Sequence, residues 1–321
     1  MEGWIFWAIF GVVVLAGMAL DLGVFHREAK AVSVREALLF TSLWITLALA
    51  FNVAIYFFID PQYADSSTRP SVEFLTCYIT EYALSVDNIF VFLVIFQYFA
   101  IPPESQHRVL LWGVLGAMLM RGVFLYIGIE AIERFHWVLY VLGALLVFTG
   151  IKLMFQRDDD GLDPDKNFVL RFARRFLRVT NTFVGSQFFT RIDGKRFVTP
   201  LFLALLVVET TDVLFAVDSV PASLGISQNL FVVYTSNIFA ILGLRSLFFA
   251  VGGLLRFLHY LKYGLAVVLV FIGVKMVLPV EYKIPVEWAL GTVAGILLIA
   301  VLASLIRARI LKNRQGNEEA T

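Results

Sequence analysis

Five carboxylates lie in stretches otherwise apolar enough to span a bilayer: Glu81 and Asp87 in one, Glu209, Asp212 and Asp218 in another. All but Glu209 belong to a motif that occurs twice. The first copy runs Glu81, Tyr82, Ala83, Leu84, Ser85, Val86, Asp87, Asn88, and the second runs Asp212, Val213, Leu214, Phe215, Ala216, Val217, Asp218, Ser219. A charge at membrane depth costs roughly 2.5–3.5 kcal/mol on insertion scales, so such residues mark function by default. Carboxylate, amide and hydroxyl oxygens are hard ligands that suit Mg, Ca or Mn better than Cu or Zn. The chemistry open to this set is to hold a divalent cation partway across a membrane. Glu81, Asp87, Glu209, Asp212 and Asp218 are the expected ligands. Asn88, Ser219 and Asp21, near the end of the first apolar stretch, are further oxygen donors.

On a helix Glu81 and Asn88 are seven apart and share a face, as do Asp212 and Ser219. Glu209 and Asp212, three apart, are neighbours. Asp87 and Asp218 follow their motif partners by six, about 120° further round. Unbroken helices would not aim the whole set at one point. Either the helices unwind, or different acids face different parts of a path. Pro221 gives a reason for a break in the second copy, because its ring displaces the carbonyl of Val217.

Two mid-span arginines, Arg121 and Arg245, are expected to balance charge, since buried charges are usually paired. Five acids against two arginines leave negative charge over. Lys152 and Lys275 fall at span ends, where they snorkel to the interface. The histidines (His26, His107, His136, His259) lie at span ends or in loops and suggest no intramembrane imidazole site. No nucleophile–His pair, phosphate loop or zinc signature is visible, so no enzyme and no cofactor is expected.

The elements that position these residues are membrane helices. Of 321 residues 60% are hydrophobic and 16% charged, whereas a soluble domain carries about a quarter charged residues. Mean hydropathy is +0.82. Apolar runs of about 20 residues predict nine spans, near 4–25, 36–59, 72–98, 108–129, 135–155, 199–220, 231–254, 258–278 and 286–307. The fold class expected is an all-α polytopic membrane protein. Trp4 to Phe25 reads as a retained helix, not a signal peptide. A net charge of +1 gives no case for nucleic acid. The single Cys77 offers no thiol pair for redox exchange.

Basic residues fix the expected orientation. His26, Arg27, Lys30 and Arg35, then nine arginines and lysines between Arg157 and Arg196, then Arg307, Arg309, Lys312 and Arg314 fall on one side of a nine-span chain. That side is the cytoplasm, which sets the N-terminus outside and the C-terminus inside. The 156–198 segment joins an acidic turn (Asp158, Asp159, Asp160, Asp163) to a basic amphipathic run from Phe168 to Phe183. It reads as a helix on the inner leaflet, drawn to anionic lipid.

The likeness of the halves extends past the acidic motif. Arg121 follows the first copy and Arg245 the second; Leu146 to Lys152 (LVFTGIK) is matched by Leu269 to Lys275 (LVFIGVK). Two units of three spans each, an odd number, enter the membrane from opposite sides, which is an inverted repeat of the kind secondary transporters use. The expected organisation is 1–71, two N-terminal spans; 72–155, the first repeat; 156–198, a cytoplasmic linker; 199–280, the inverted repeat; and 281–321, a last span and tail.

Asp21 to Phe25 (DLGVF), Glu81 to Asn88 and Glu209 to Asp218 resemble the bacterial TerC family, and within it the Alx-type members. The resemblance covers nearly the whole chain. It implies a multi-pass inner-membrane protein that exports manganese, with expression tied to alkaline pH and manganese, and with Glu81, Asp87, Glu209, Asp212 and Asp218 as its acids. The reading is Mn²⁺ efflux by alternating access. Two others stay open: a Ca²⁺ or proton-coupled cation exchanger, and a non-transporting scaffold or redox or tellurium-stress modulator. The sequence leaves the oligomeric state unknown.

Overall fold

The computed structural model describes residues 3–25, 34–63, 69–155, 168–180, 182–192, 194–251, 260–278 and 284–318. In chain order the helices are α1 (Gly3–Phe25), α2 (Val34–Phe58), α3 (Pro70–Tyr98), α4 (Pro103–Arg134), α5 (Trp137–Phe155), α6 (Phe168–Phe176), α7 (Pro200–Ile226), α8 (Leu230–Val251), α9 (Leu261–Val277) and α10 (Val286–Glu318). A hairpin of β1 (Phe189–Ile192) and β2 (Lys195–Val198) lies between α6 and α7. The chain is an all-α polytopic membrane protein. Among the described residues six helices are long and apolar enough to cross a bilayer: α2, α4, α5, α7, α8 and α10. Among the described residues α1 gives an apolar run over Trp4–Ala19, α9 has 17 residues, and α3, 29 residues long, carries Glu73, Glu81 and Asp87.

Proline sets the starts. α3, α4 and α7 each carry it in the first turn, where a missing N–H is no loss and φ is already helical. α3 stops in a tight C-terminal turn: Ala100 takes φ 49°, its N–H bonds Gln97 at 3.1 Å and that of Ile101 bonds Phe96 at 2.9 Å. This is the paired-bond helix end that normally uses glycine. Pro102 and Pro103 then begin α4 at once.

Pro221 does not break the second acidic helix. α7 continues through it to Ile226, with Pro221 buried inside. Membrane helices tolerate proline because neighbouring groups satisfy the freed backbone. α3 is likewise continuous. Of the two sequence alternatives, the acids face different parts of the structure from unbroken helices.

The linker also departs from expectation. The basic run stays helical only from Phe168 to Phe176. At the β-branched pair Val179 and Thr180 the chain turns extended and bonds β2, with Thr180 N–H to Val198 O and Val198 N–H to Arg178 O, both 2.9 Å. The acidic turn at Asp158–Asp163 lies outside the described residues.

α3 packs against α8 as α4 packs against α7, and α5 packs along α9. The α5–α9 contact is nearly backbone on backbone. A Cβ on Gly143 would lie 2.9 Å from Gly273 O; one on Gly150 would lie 2.7 Å from Ala266 O. As the number rises on α5 it falls on α9, so the two helices run antiparallel. Small residues permit such approaches where lipid supplies no hydrophobic drive. Outside this bundle α1 and α2 rest on α8 through a group of rings: Phe51 and Phe239 are 5.2 Å apart, Phe10 and Phe239 5.8 Å.

Candidate ion site

The first motif acid is held by a polar chain through four helices. Glu81 on α3, 1% exposed, forms an ion pair with the guanidinium of Arg121 on α4. Ser85, one turn on, donates to the same carboxylate at 3.1 Å. Arg121 also donates to Asn237 Oδ1 on α8 at 2.6 Å, and Asn237 Nδ2 donates to Ser223 Oγ on α7 at 3.1 Å. Arg121 is therefore fixed from two sides. Glu81 Oε2 is buried and has no hydrogen-bond partner.

Beside this chain lies a cavity of about 260 Å³ whose lining includes Glu81, Asn88, Arg121, Lys152, Asp218 and Ser219. Thr149 also lies in its wall. Ser219 Oγ is buried without a partner. Glu81 and Ser219 thus both line this cavity, and each has a buried oxygen without a hydrogen-bond partner. A second cavity, about 20 Å³ and so large enough for one water, is bounded by Asn88, Arg121 and Asp212. Arg121 and Asn88 are shared between the two.

The expected ligands therefore divide. Glu81 and Asp218 meet in the larger cavity, with Asn88 and Ser219. Asp212 lines the smaller one, within electrostatic range of Arg121, Glu209 and Glu81. Glu209 turns toward α4 and rests on Gly116, where a Cβ would come within 2.1 Å of its carboxylate oxygens. Asp87 and Asp21 lie on α3 and α1, with side chains outside those described. Among the described residues no three of His, Cys, Asp and Glu gather as a metal cage. The cavity's donor set is two carboxylates supplemented by amide and hydroxyl oxygens, all hard.

Arg245, 4% exposed, is set against the ring of His107 on α4, so one histidine expected at a span end faces a buried charge. Lys152, expected only to snorkel, lines the cavity and acts electrostatically on Asp218. Three polar residues escaped the sequence reading. Asn237 and Thr149 are uncharged polar residues inside spans, the one signal that could have found them. Glu73, 5% exposed, accepts from Ser227 Oγ at 2.5 Å and ties the start of α3 to the α7–α8 turn.

The chain is 46% identical over 303 residues to an uncharacterized membrane protein of Myxococcus xanthus, STKORF319, covering 94% of this chain and 92% of the relative. It is 42% identical over 313 residues, 97% of each chain, to a protein of Escherichia coli K12 named a membrane-bound redox modulator, Alx. The Salmonella typhi protein of the same name is 43% identical over 298 residues, 92% of each. No solved structure matches. Residues 66–315, which run from just before α3 into α10, match the family described as integral membrane protein TerC, and the chain belongs to that family.

Proposed function

We propose that this protein moves a divalent cation, Mn²⁺, out of the cell across the inner membrane. The observation that carries the reading is one cavity lined by Glu81, Asp218, Asn88 and Ser219, with Glu81 Oε2 and Ser219 Oγ buried and without hydrogen-bond partners. An unpaired buried carboxylate oxygen is costly, and a hard cation would satisfy it. In this reading Glu81, Asp218, Asn88 and Ser219 form one station. Asp212 and Glu209, with Asp87, belong to the path beyond it. Arg121 holds Glu81 in position and Arg245 balances charge on the other unit.

Two inverted triplets, α3–α5 and α7–α9, within a nine-span chain would let the path alternate its opening. The packing supports that arrangement. An inverted two-fold would pair α3 on α8 with α4 on α7, and both contacts are present. It would also map Gly143 onto Ala266 and Gly150 onto Gly273, which turns one close α5–α9 contact into the other. The basic segments set the N-terminus outside and the C-terminus in the cytoplasm.

The test is Mn²⁺ uptake into proteoliposomes, comparing wild type with Asp218→Asn at equal reconstitution. Flux in wild type that is lost in the variant supports the reading. A variant that transports normally removes Asp218 from the site, and a wild type inert with and without a pH gradient overturns transport. Ca²⁺ or proton coupling is separated by competition in the same assay.

A second reading takes its support from the relatives named redox modulators. This chain's one thiol, Cys77, is wholly buried and has no second cysteine to pair with. A redox effect would therefore follow indirectly, through the metal the cell retains.

A further inference from the structure

The linker before α7 carries a charge arrangement that the ion path does not use. The hairpin register sets Arg191 directly opposite Arg196, and Phe189 opposite Val198. All four share one face, because side chains alternate along a strand. Like charges directly opposite on a hairpin are destabilising. Among the described residues neither arginine has a carboxylate in ion-pair range. They border a groove of about 550 Å³ whose other walls are Gln187, Phe189 and Thr190. The groove offers hydrogen-bond donors and positive charge.

Its height is fixed by the helix below. Phe189 packs at a tilt against Phe202 in the first turn of α7, ring centroids 4.7 Å apart, and Val198 is buried. The arginines are two residues along the strands from Phe189 and Val198, about 7 Å at strand rise. α6 repeats the pattern. Phe168, Phe172 and Phe176, 74%, 54% and 65% exposed, line up at four-residue spacing, while Leu170 and Ala173 are buried on the other side. Arg171 and Arg175 fall on the helix face beside the phenylalanines.

We propose that the Arg191–Arg196 pair clamps the phosphate of an anionic phospholipid, whose acyl chains run past Phe189 and the phenylalanine row of α6. The clamp relieves the repulsion within the pair and anchors the entry of α7, the helix that carries Asp212 and Asp218. This inference is independent of the ion carried.

The test is lipid retention by the full chain purified in detergent and read by native mass spectrometry, with equimolar phosphatidylglycerol and phosphatidylcholine offered. Wild type retains phosphatidylglycerol preferentially, and the double variant Arg191→Gln/Arg196→Gln loses that preference by roughly 30-fold, from about 1 kcal/mol per basic residue at an anionic surface. Thermal unfolding of the variant shows whether it is folded. If it is not, Arg191→Lys/Arg196→Lys retains the charge without the planar fork and is expected to lower the preference in part. Equal retention of both lipids by wild type overturns the proposal, as does an unchanged preference in a folded variant. Displacement of the lipid by excess inorganic phosphate would make the site one for free anions and overturns the lipid assignment.

Discussion

The guanidinium of Arg121 is bonded at once to Glu81 on α3 and to Asn237 on α8. One arginine therefore joins three helices at the depth of the acids, and its charge is half spent before any ion arrives. Breaking a buried pair from one side costs about 3–5 kcal/mol because the remaining charge is left unpaired. Arg121→Gln is expected to lose about that much stability, measured as denaturant-induced unfolding in detergent. Glu81→Gln/Arg121→Gln together should lose less than Arg121→Gln alone.

Lys152 adds a second cation to a cavity that already holds Arg121. Glu81 and Asp218 are thus matched by two positive charges. Arg121 is pinned, whereas Lys152 sits at the end of a flexible stem. Lys152→Met should tighten apparent Mn²⁺ affinity about tenfold, since a like charge facing the ion is removed. Initial rates of uptake against Mn²⁺ concentration read this as a lower KM. An unchanged KM would show that Lys152 does not oppose the ion.

Cys77 separates transport from thiol chemistry. Its Sγ points at the Ser223 carbonyl, 3.8 Å away, inside the α3–α7 contact. A thiol this enclosed is inert. Maleimide should fail to label the folded chain and label it fully once denatured, and Cys77→Ala should retain wild-type flux. Rapid labelling of the native protein would restore the redox reading.

Glu73 and Ser227 pin the ends of α3 and α7 together, outside the cavity. A hydrogen bond to a charged group contributes about 1.5–3 kcal/mol. Ser227→Ala should lower stability by about that amount while leaving KM for Mn²⁺ unchanged. A large shift in KM would mean that this end of the bundle takes part in ion binding.

Candidate site residues are easier to read from the sequence than their arrangement. Seven-residue spacing brought Glu81 and Asn88 to one wall because α3 is a regular helix, and both line the cavity. What escaped came from other helices. Arg121 is 40 residues from Glu81, and no local pattern shows which acid it will meet. Lys152 looked interfacial because it ends a span, yet α5 has only 19 residues, and its end reaches Asp218. Pro221 was weighed by its local effect alone, and the packed surroundings that buried it prevailed. The hairpin was hidden because its four-residue strands, FTRI and KRFV, are too short to show the apolar alternation by which strands are recognised.

The close crossing of α5 and α9 decides which parts of the bundle are free to move. With Gly143 and Gly150 pressed on the opposing backbone, these two helices have no side-chain layer to slide upon, and a shift of one drags the other. They act as a common axle. Any rocking that opens the cavity to one side and then the other must be carried by α3 with α4 and α7 with α8, swinging about a shaft that three glycines and an alanine keep thin.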